Sequence, residues 1–327
     1  MQSGLRSKLL EAFSKADGEF LSGQKISEYI GCSRTAVWKH IEDLRKEGYE
    51  LEAVRRRGYR ITKKPDKISS NEIQLGLQTK AMGRNIHFAE EVTSTQKIAQ
   101  TLAAEGAQEG TIVVADKQTN GRGRMARTWY SPSGTGIWMS MIIRPNIPIN
   151  NTPQLTLLTA VAIVQAIEEE TTLKPDIKWP NDILVNGKKL VGILTELQAE
   201  ADQVHSVIIG TGINVNQLEE HFPEELRSIA TSIYIESGEL CERSKLIQAI
   251  LLKFEALYSL YLSKGFIPIK LLWESYAISL NKVIQARTIN GVIEGKAIGI
   301  DNDGALLIET DETGIERIYS ADIEIKQ

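Results

Sequence analysis

Residues 118–129, QTNGRGRMARTW, set Arg122, Arg124 and Arg127 close together with Gly121 and Gly123 among them and no acidic residue to pair them. Permanently charged guanidinium forks, beside glycines whose missing Cβ lets backbone N–H groups come close, suit an oxyanion such as phosphate. The spacing is not that of a G-x-x-x-x-G-K-[ST] phosphate loop, and the third glycine of a G-x-G-x-x-G fingerprint is missing. An unpaired cationic loop of this kind is expected to order when its anion arrives, the plainer alternative being a solvated basic loop. Residues 177–196, IKWPNDILVNGKKLVGILTE, supply a second polar group. Lys178 precedes a Trp179-Pro180-Asn181-Asp182 turn, and an Asn186-Gly187 hairpin returns the chain to Lys188 and Lys189. Cations and one carboxylate thereby sit at strand ends.

The elements that must hold these groups follow from apolar periodicity. Strands are expected over Ile86–Val92, Thr111–Asp116, Gly136–Ile143, Asp176–Trp179, Asp182–Asn186, Lys189–Gln198 and Val204–Val215. Helices are expected over Thr95–Glu105 and Pro153–Thr171, with a helical pair across Cys241–Ile278. Strands clustered around few helices predict a mixed sheet backed by helices and not a doubly wound fold. From Val283 onward the strands are short and alternating, with turns at Asn290-Gly291 and Asp303-Gly304, which predicts a small β-barrel.

The N-terminus has a different character. Leu5, Leu9, Leu10 and Phe13 recur at helical spacing, Ser22 can cap a second helix, and Ser33 can cap a third that stops at Gly48. On the third helix Val37, Ile41 and Leu44 would face inward, leaving Arg34, Thr35, Trp38 and Lys39 outward, as on a recognition helix in a major groove. A two-stranded wing bent at Gly58 follows, with Arg55, Arg56, Arg57 and Arg60 placed for phosphates. Residues 1–64 hold 14 Lys and Arg against 9 Asp and Glu, whereas the remainder holds 24 against 33, so the head is the part suited to a polyanion. A helical protein-interaction domain with a solvated hairpin is the alternative. A polar linker, Lys63–Lys67, separates head from body, and Ser69 with Glu72 marks the first capping box beyond it.

At 327 residues and 42% hydrophobic, the chain can bury the cores of two or three domains. The apolar run Leu155–Ile167 is too short to span a bilayer and the N-terminus has no apolar signal core, so the expected location is the cytoplasm with no membrane partner. Cys32 and Cys241 form no C-x-x-C, and His40, His87, His205 and His221 show no ligand spacing, so neither a disulfide framework nor a zinc site is expected.

GRGR at 121–124 together with KWPND at 178–182, with Gly210-Thr-Gly-Ile-Asn214 and Thr93-Ser-Thr-Gln96 in order around them, closely resembles the biotin protein ligases. With the N-terminal head, the chain resembles those members that also repress biotin operons. The resemblance covers essentially the whole chain and implies an α+β multidomain protein: a winged helix-turn-helix over 1–64, a mixed-sheet biotin/lipoate ligase-like catalytic domain over 65–278, and an SH3-like β-barrel over 279–327. It implies an ATP-dependent ligase that makes biotinyl-5′-AMP and transfers biotin to a lysine of a biotin carboxyl carrier domain, with Mg2+, and that binds operator DNA as an adenylate-loaded homodimer.

Residue by residue, the resemblance puts Ser94, Thr95, Gln96, Gln118, Gly121, Arg122, Gly123, Arg124, Lys189 and Gly192 at biotin, with Gly210 and Gly212 beside them as small residues that let the ligand lie against backbone. It puts Arg127, Trp129, Lys178, Asn181, Asp182 and Asn214 on the ATP side, with Asp182 also toward Mg2+. Arg124, Lys189 and Asp182 are the expected catalytic residues, and Ser33, Arg34, Thr35, Trp38, Lys39, Arg55, Arg56 and Arg57 the DNA contacts. Many members have Asn where Gln96 stands, and some have Arg at Met125. Thr93 with Gln96 also reads as a capping box, and Trp129 as a core residue. A lipoate or octanoate transferase, or a sensor repressor that binds without reacting, are the competing functions.

Overall fold

The computed structural model describes residues 2–16, 18–46, 48–63, 67–200, 203–311 and 313–326, so most of the expected linker, Lys64–Asp66, lies outside the described residues. The chain divides into two compact units, Met1–Leu77 and Gln78–Gln327.

The first unit comprises α1 (Gln2–Lys15), α2 (Gly23–Ile30), α3 (Arg34–Lys46), β1 (Glu50–Val54), β2 (Gly58–Lys63) and α4 (Ser70–Gln74). Its helices bury Leu9, Leu10, Phe13, Ile26, Ile30, Val37, Ile41 and Leu44 in one cluster with Tyr49. Ser22 Oγ accepts the Lys25 N–H at 3.2 Å, and Ser33 Oγ accepts the Ala36 N–H at 3.2 Å, so both expected caps form. A strand contact that periodicity does not signal fixes the wing: Leu21 and Tyr59 exchange backbone hydrogen bonds of 2.8 and 2.9 Å. A Cβ on Gly58, at φ 108°, would run into the backbone of Leu21 and Ser22, so only glycine serves there. The helix that Ser69 begins is part of this unit, its Glu72 carboxylate accepting a buried hydrogen bond from the Tyr49 hydroxyl.

The second unit is built on a seven-stranded sheet. In chain order its elements are β3 (Ile86–Val92), α5 (Thr95–Ala104), β4 (Ile112–Gln118), β5 (Gly121–Arg122), β6 (Thr128–Trp129), β7 (Gly136–Ile143), α6 (Thr152–Glu170), β8 (Asp176–Lys178), β9 (Asp182–Val185), β10 (Lys188–Glu200) and β11 (Gln203–Asn214). Then follow two short helices absent from the periodicity, α7 (Glu224–Arg227) and α8 (Ile233–Ser237), and the pair α9 (Arg243–Lys264) and α10 (Ile267–Tyr276). The strand order is β3-β4-β7-β11-β10-β9-β8. Only β3 and β4 pair in parallel, so the sheet is mixed as expected. Every residue of β7 is buried, because helices cover both faces of the sheet centre. Among the described residues α9 is the one helix long and apolar enough to cross a membrane, and half of its apolar stretch is buried inside the protein.

The chain ends in a five-stranded antiparallel sheet of β12 (Val283–Thr288), β13 (Gly291–Ile300), β14 (Leu306–Thr310), β15 (Gly314–Ile318) and β16 (Asp322–Ile325), ordered β15-β14-β13-β12-β16. Two hydrogen bonds tie its Asn302–Gly304 turn to the larger sheet's surroundings. Trp179 Nε1 donates to Gly304 O at 3.1 Å and Gln154 Nε2 to Asn302 O at 2.7 Å. The residues preceding β16 are thereby brought to the mouth of the main cavity.

Candidate functional site

That cavity, about 530 Å³, opens at the strand ends between the arginine loop, the WPND turn and the Phe222–Ala230 segment. At one end it is polar by construction. Ser94 begins α5 without capping it, and its buried Oγ has no hydrogen-bond partner among the described residues. Beside it the Thr95 N–H and Oγ1 reach Gln118 Oε1 at 2.9 and 3.2 Å, and Gln118 Nε2 donates to Ser131 Oγ at 2.9 Å. Thr95 Oγ1 and Ser140 Oγ are 2.8 Å apart. Gln96 is committed to the sheet: Nε2 donates to Ile208 O at 3.1 Å and Oε1 accepts from Ser140 Oγ at 2.9 Å. A buried hydroxyl without a partner is costly unless a ligand supplies one, which makes Ser94 the group of this cluster most open to a polar ring and Gln96 its support.

The glycines expected to admit a ligand make room for protein side chains. A Cβ on Gly210 would stand 2.5 Å from Gln96 Oε1, one on Gly192 would stand 2.7 Å from Trp129 Cζ3, and one on Gly212 would fall inside the same indole. Gly121 lies off the cavity wall, where a Cβ would meet Ser131 Oγ at 2.7 Å, and its smallness lets β5 close on β6. Trp129 is half-buried on the Gly192 and Gly212 backbone, its Nε1 buried without a partner and the Lys189 ammonium 5.4 Å from its ring centroid. It therefore lines the cavity, and is not a core tryptophan like Trp138.

Contacts within the arginine loop close it. β5 and β6 pair across it, and Gly123 N–H donates to Arg127 O at 2.7 Å. Met125 and Ala126 both take left-handed backbone at φ 54° and 59°, a conformation that disfavours side chains and costs on the order of 1 kcal/mol per residue. Three partners outside the loop hold it. Arg124 donates to Asn181 Oδ1 at 2.8 Å and to Ser320 Oγ at 2.7 Å, and Arg127 forks onto the Asp322 carboxylate. Burial lowers the Arg124 pKa against the pull of Asp182 and Asp322, whereas the hydrogen bond to Asp322 raises that of Arg127. The same bond holds the Asp322 carboxyl below the usual carboxylate range.

Opposite, Lys189 Nζ meets Asp182 Oδ1 at 2.7 Å in an ion pair lacking hydrogen-bond alignment. Asn181 Nδ2 donates to Ile193 O at 3.0 Å, and Asn214, buried, accepts from Gln217 at 3.2 Å. Arg122 and Lys178 face the same cavity without a side-chain partner among the described residues. Two cations are thus unpaired among the described residues, and three more, Arg124, Arg127 and Lys189, are held by groups an anion could displace. Ser140 and Asp322 went unseen in the sequence because they come from strands outside either motif, Ser320 because it lies in the bend before β16, and the Phe222–Ala230 wall has no periodic signal.

On the first unit Arg34, Thr35, Trp38 and Lys39 are exposed on α3, as are Arg55 and Arg56 at the wing tip. Ser33 is exposed too, though its hydroxyl is engaged as the α3 cap. Arg57 stacks on Phe20 at 4.3 Å, and Arg60 does so at 4.8 Å while pairing with Glu52 at 2.7 Å. Arg55 and Arg56 are therefore the freer cations of the wing.

Residues 88–214 match the Biotin/lipoate A/B protein ligase family, residues 5–60 an HTH domain, and residues 279–326 the Biotin protein ligase C terminal domain. The chain is 62% identical to the Bifunctional ligase/repressor BirA of Bacillus subtilis over 325 residues, covering 99% of this chain and all of that protein. The chain belongs to the bifunctional ligase/repressor family. The BirA of Escherichia coli is 29% identical over 301 residues, 90% of each chain. Among solved structures, the biotin protein ligase from Aquifex aeolicus in complex with biotin and ATP superposes with a TM-score of 0.64 at 33% identity, covering 75% of this chain and 99% of that one. A family of ligases accounts for a cavity in which cations outnumber carboxylates, and one of repressors for the exposed cationic face of α3.

Proposed function

We propose that this cavity joins biotin to ATP as biotinyl-5′-AMP, transfers the biotinyl group to a lysine of a biotin carboxyl carrier domain, and reports its occupancy to an operator-binding homodimer in the cytoplasm. The supporting observation is the convergence of Arg122, Arg124, Arg127, Lys178 and Lys189 on one cavity whose far end holds the unsatisfied Ser94 hydroxyl.

In the first step a biotin carboxylate oxygen attacks the ATP α-phosphorus and pyrophosphate leaves. Two anions must meet, and charge accumulates on phosphoryl oxygens, so preplaced cations lower the barrier more than they aid binding. Lys189 and Arg124 are assigned to that point, with Arg122, Arg127 and Lys178 toward the phosphates and Trp129 toward adenine. In the second step a lysine amine attacks the acyl carbon of the mixed anhydride and AMP leaves, Asp182 being the proposed acceptor of the amine proton. Among the described residues no group of three Asp, Glu, His or Cys could cage a metal. Mg2+ would be held here by the Asp182 carboxylate together with the nucleotide phosphates, and would screen the charge of those phosphates.

We place the boundary between reader and ligase at Leu77/Gln78, with the barrel beginning near residue 279. Native mass spectrometry of the full chain with biotin and MgATP tests the reading: a mass gain of one biotinyl-5′-AMP is expected, and gain of biotin alone would overturn it in favour of a sensor that does not react.

A further inference from the structure

We propose that Trp38 is a specificity residue of the DNA-reading helix and that its indole packs against the C5-methyl group of a thymine in the major groove. The proposal rests on reading the first unit as a DNA reader. Trp38 is 57% exposed, whereas Trp138, Trp179 and Trp273 are at most 2% exposed and Trp129 is half-buried. Its direction is fixed by its neighbours on α3. Val37, Ile41 and Leu44 are each at most 1% exposed in the helical core, and a side chain one step past Val37 is turned about 100° from it, out of that core.

Arg34 and Thr35 lie one turn before Trp38 and share that exposed strip. Two other aromatic rings of this unit are covered by cations, Phe20 by Arg57 and Arg60, and Tyr29 by Lys15 at 5.3 Å. Among the described residues Trp38 has no such cover. Tryptophan is enriched at interfaces, where its ring meets an apolar partner, and the surroundings of this one select the occupant. Arg34, Lys39, Arg55 and Arg56 are all exposed on this unit, so a polyanion gains from the approach, whereas an apolar protein surface would have to strip water from those charges. In a major groove the only apolar group that distinguishes one base from the rest is the thymine C5-methyl.

The test uses the full chain with biotin and MgATP to enrich duplexes from a random pool. In the enriched duplex each thymine is then replaced singly by deoxyuridine, which removes only the methyl group. The expected result is one position in each half-site where the replacement weakens binding about fourfold, the worth of one buried carbon. Trp38→Ala should bind the parent duplex less tightly and no longer distinguish thymine from deoxyuridine at that position, and Trp38→Phe should keep part of the difference. Retained binding of Trp38→Ala to unselected duplex at low salt shows that the head is folded, and if that variant does not fold Trp38→Phe carries the comparison. Equal methyl sensitivity of wild type and variants at every position, or none in any of them, overturns the proposal. Failure of the wild-type chain to enrich any sequence would instead sink the DNA-reading assignment beneath it.

Discussion

Asp322 of the C-terminal sheet forks onto Arg127 of the arginine loop across 195 residues of chain. The carboxylate occupies the guanidinium proposed to meet a nucleotide phosphate, and it helps hold a loop that contains two left-handed residues. Arg127 is largely exposed, so the pair is worth about 1 kcal/mol or less.

Asp322→Asn should therefore loosen the ligand-free loop without unfolding the domain. Backbone amide exchange at Gly123 and Arg127, both bonded within the loop, should quicken by up to about fivefold. Unchanged exchange in the ligand-free variant would show that Asp322 does not hold the loop.

Arg124 touches both sides of the cavity mouth, through Asn181 and Ser320. Arg124→Ala removes a charge-assisted contact to the adenylate phosphate, worth roughly 1.5–3 kcal/mol. The dissociation rate of biotinyl-5′-AMP should rise by about one to two decades, with stray labelling of exposed lysines in added bystander protein. Retention at the wild-type rate would remove Arg124 from the phosphate.

Gly212→Ala tests the seat of Trp129. Its Cβ would intrude on the indole, and overpacking of this kind costs about 1–3 kcal/mol. Affinity for ATP should fall more than affinity for biotin, because the indole is assigned to adenine. Equal losses measured by calorimetry would detach Trp129 from the nucleotide.

Glu255 of α9 supports the entrance to the second unit by accepting the Lys80, Ala81 and Met82 N–H groups at 2.7, 2.7 and 3.0 Å. Burial acts to raise its pKa, but the three donors outweigh burial and leave it lowered. A lowered folded-state pKa means that the stabilisation is present above the ordinary glutamate value of about 4.3 and is lost as pH falls through the lower one. Glu255→Gln should cost about 2 kcal/mol at neutral pH. The melting difference from wild type should shrink below about pH 4, and a difference constant down to pH 3 would contradict the assignment.

Local signals carried much of this architecture. Ser22 and Ser33 cap the helices with their hydroxyls and Gly31 ends one at φ 73°, and the apolar runs of β7 and β11 are long enough to mark the sheet centre. The arginine loop and the WPND turn were visible because charge and turn residues are concentrated within each. What stayed hidden depends on contacts across the chain. Nothing near Arg127 announces a carboxylate at position 322, and nothing near Gly210 or Gly212 announces that Gln96 and Trp129 will need the space.

The hydrogen bonds that complete the cavity mouth join Arg124 to Ser320 over 196 residues and Trp179 to Gly304 over 125. Contacts so remote close large loops and are expected to form late in folding, whereas the helical cluster of the first unit is local and should form early. The two activities therefore mature at different times. A newly made chain would hold a folded reader before it could make the adenylate that licenses repression, and such a chain would bind duplex only as an unliganded head.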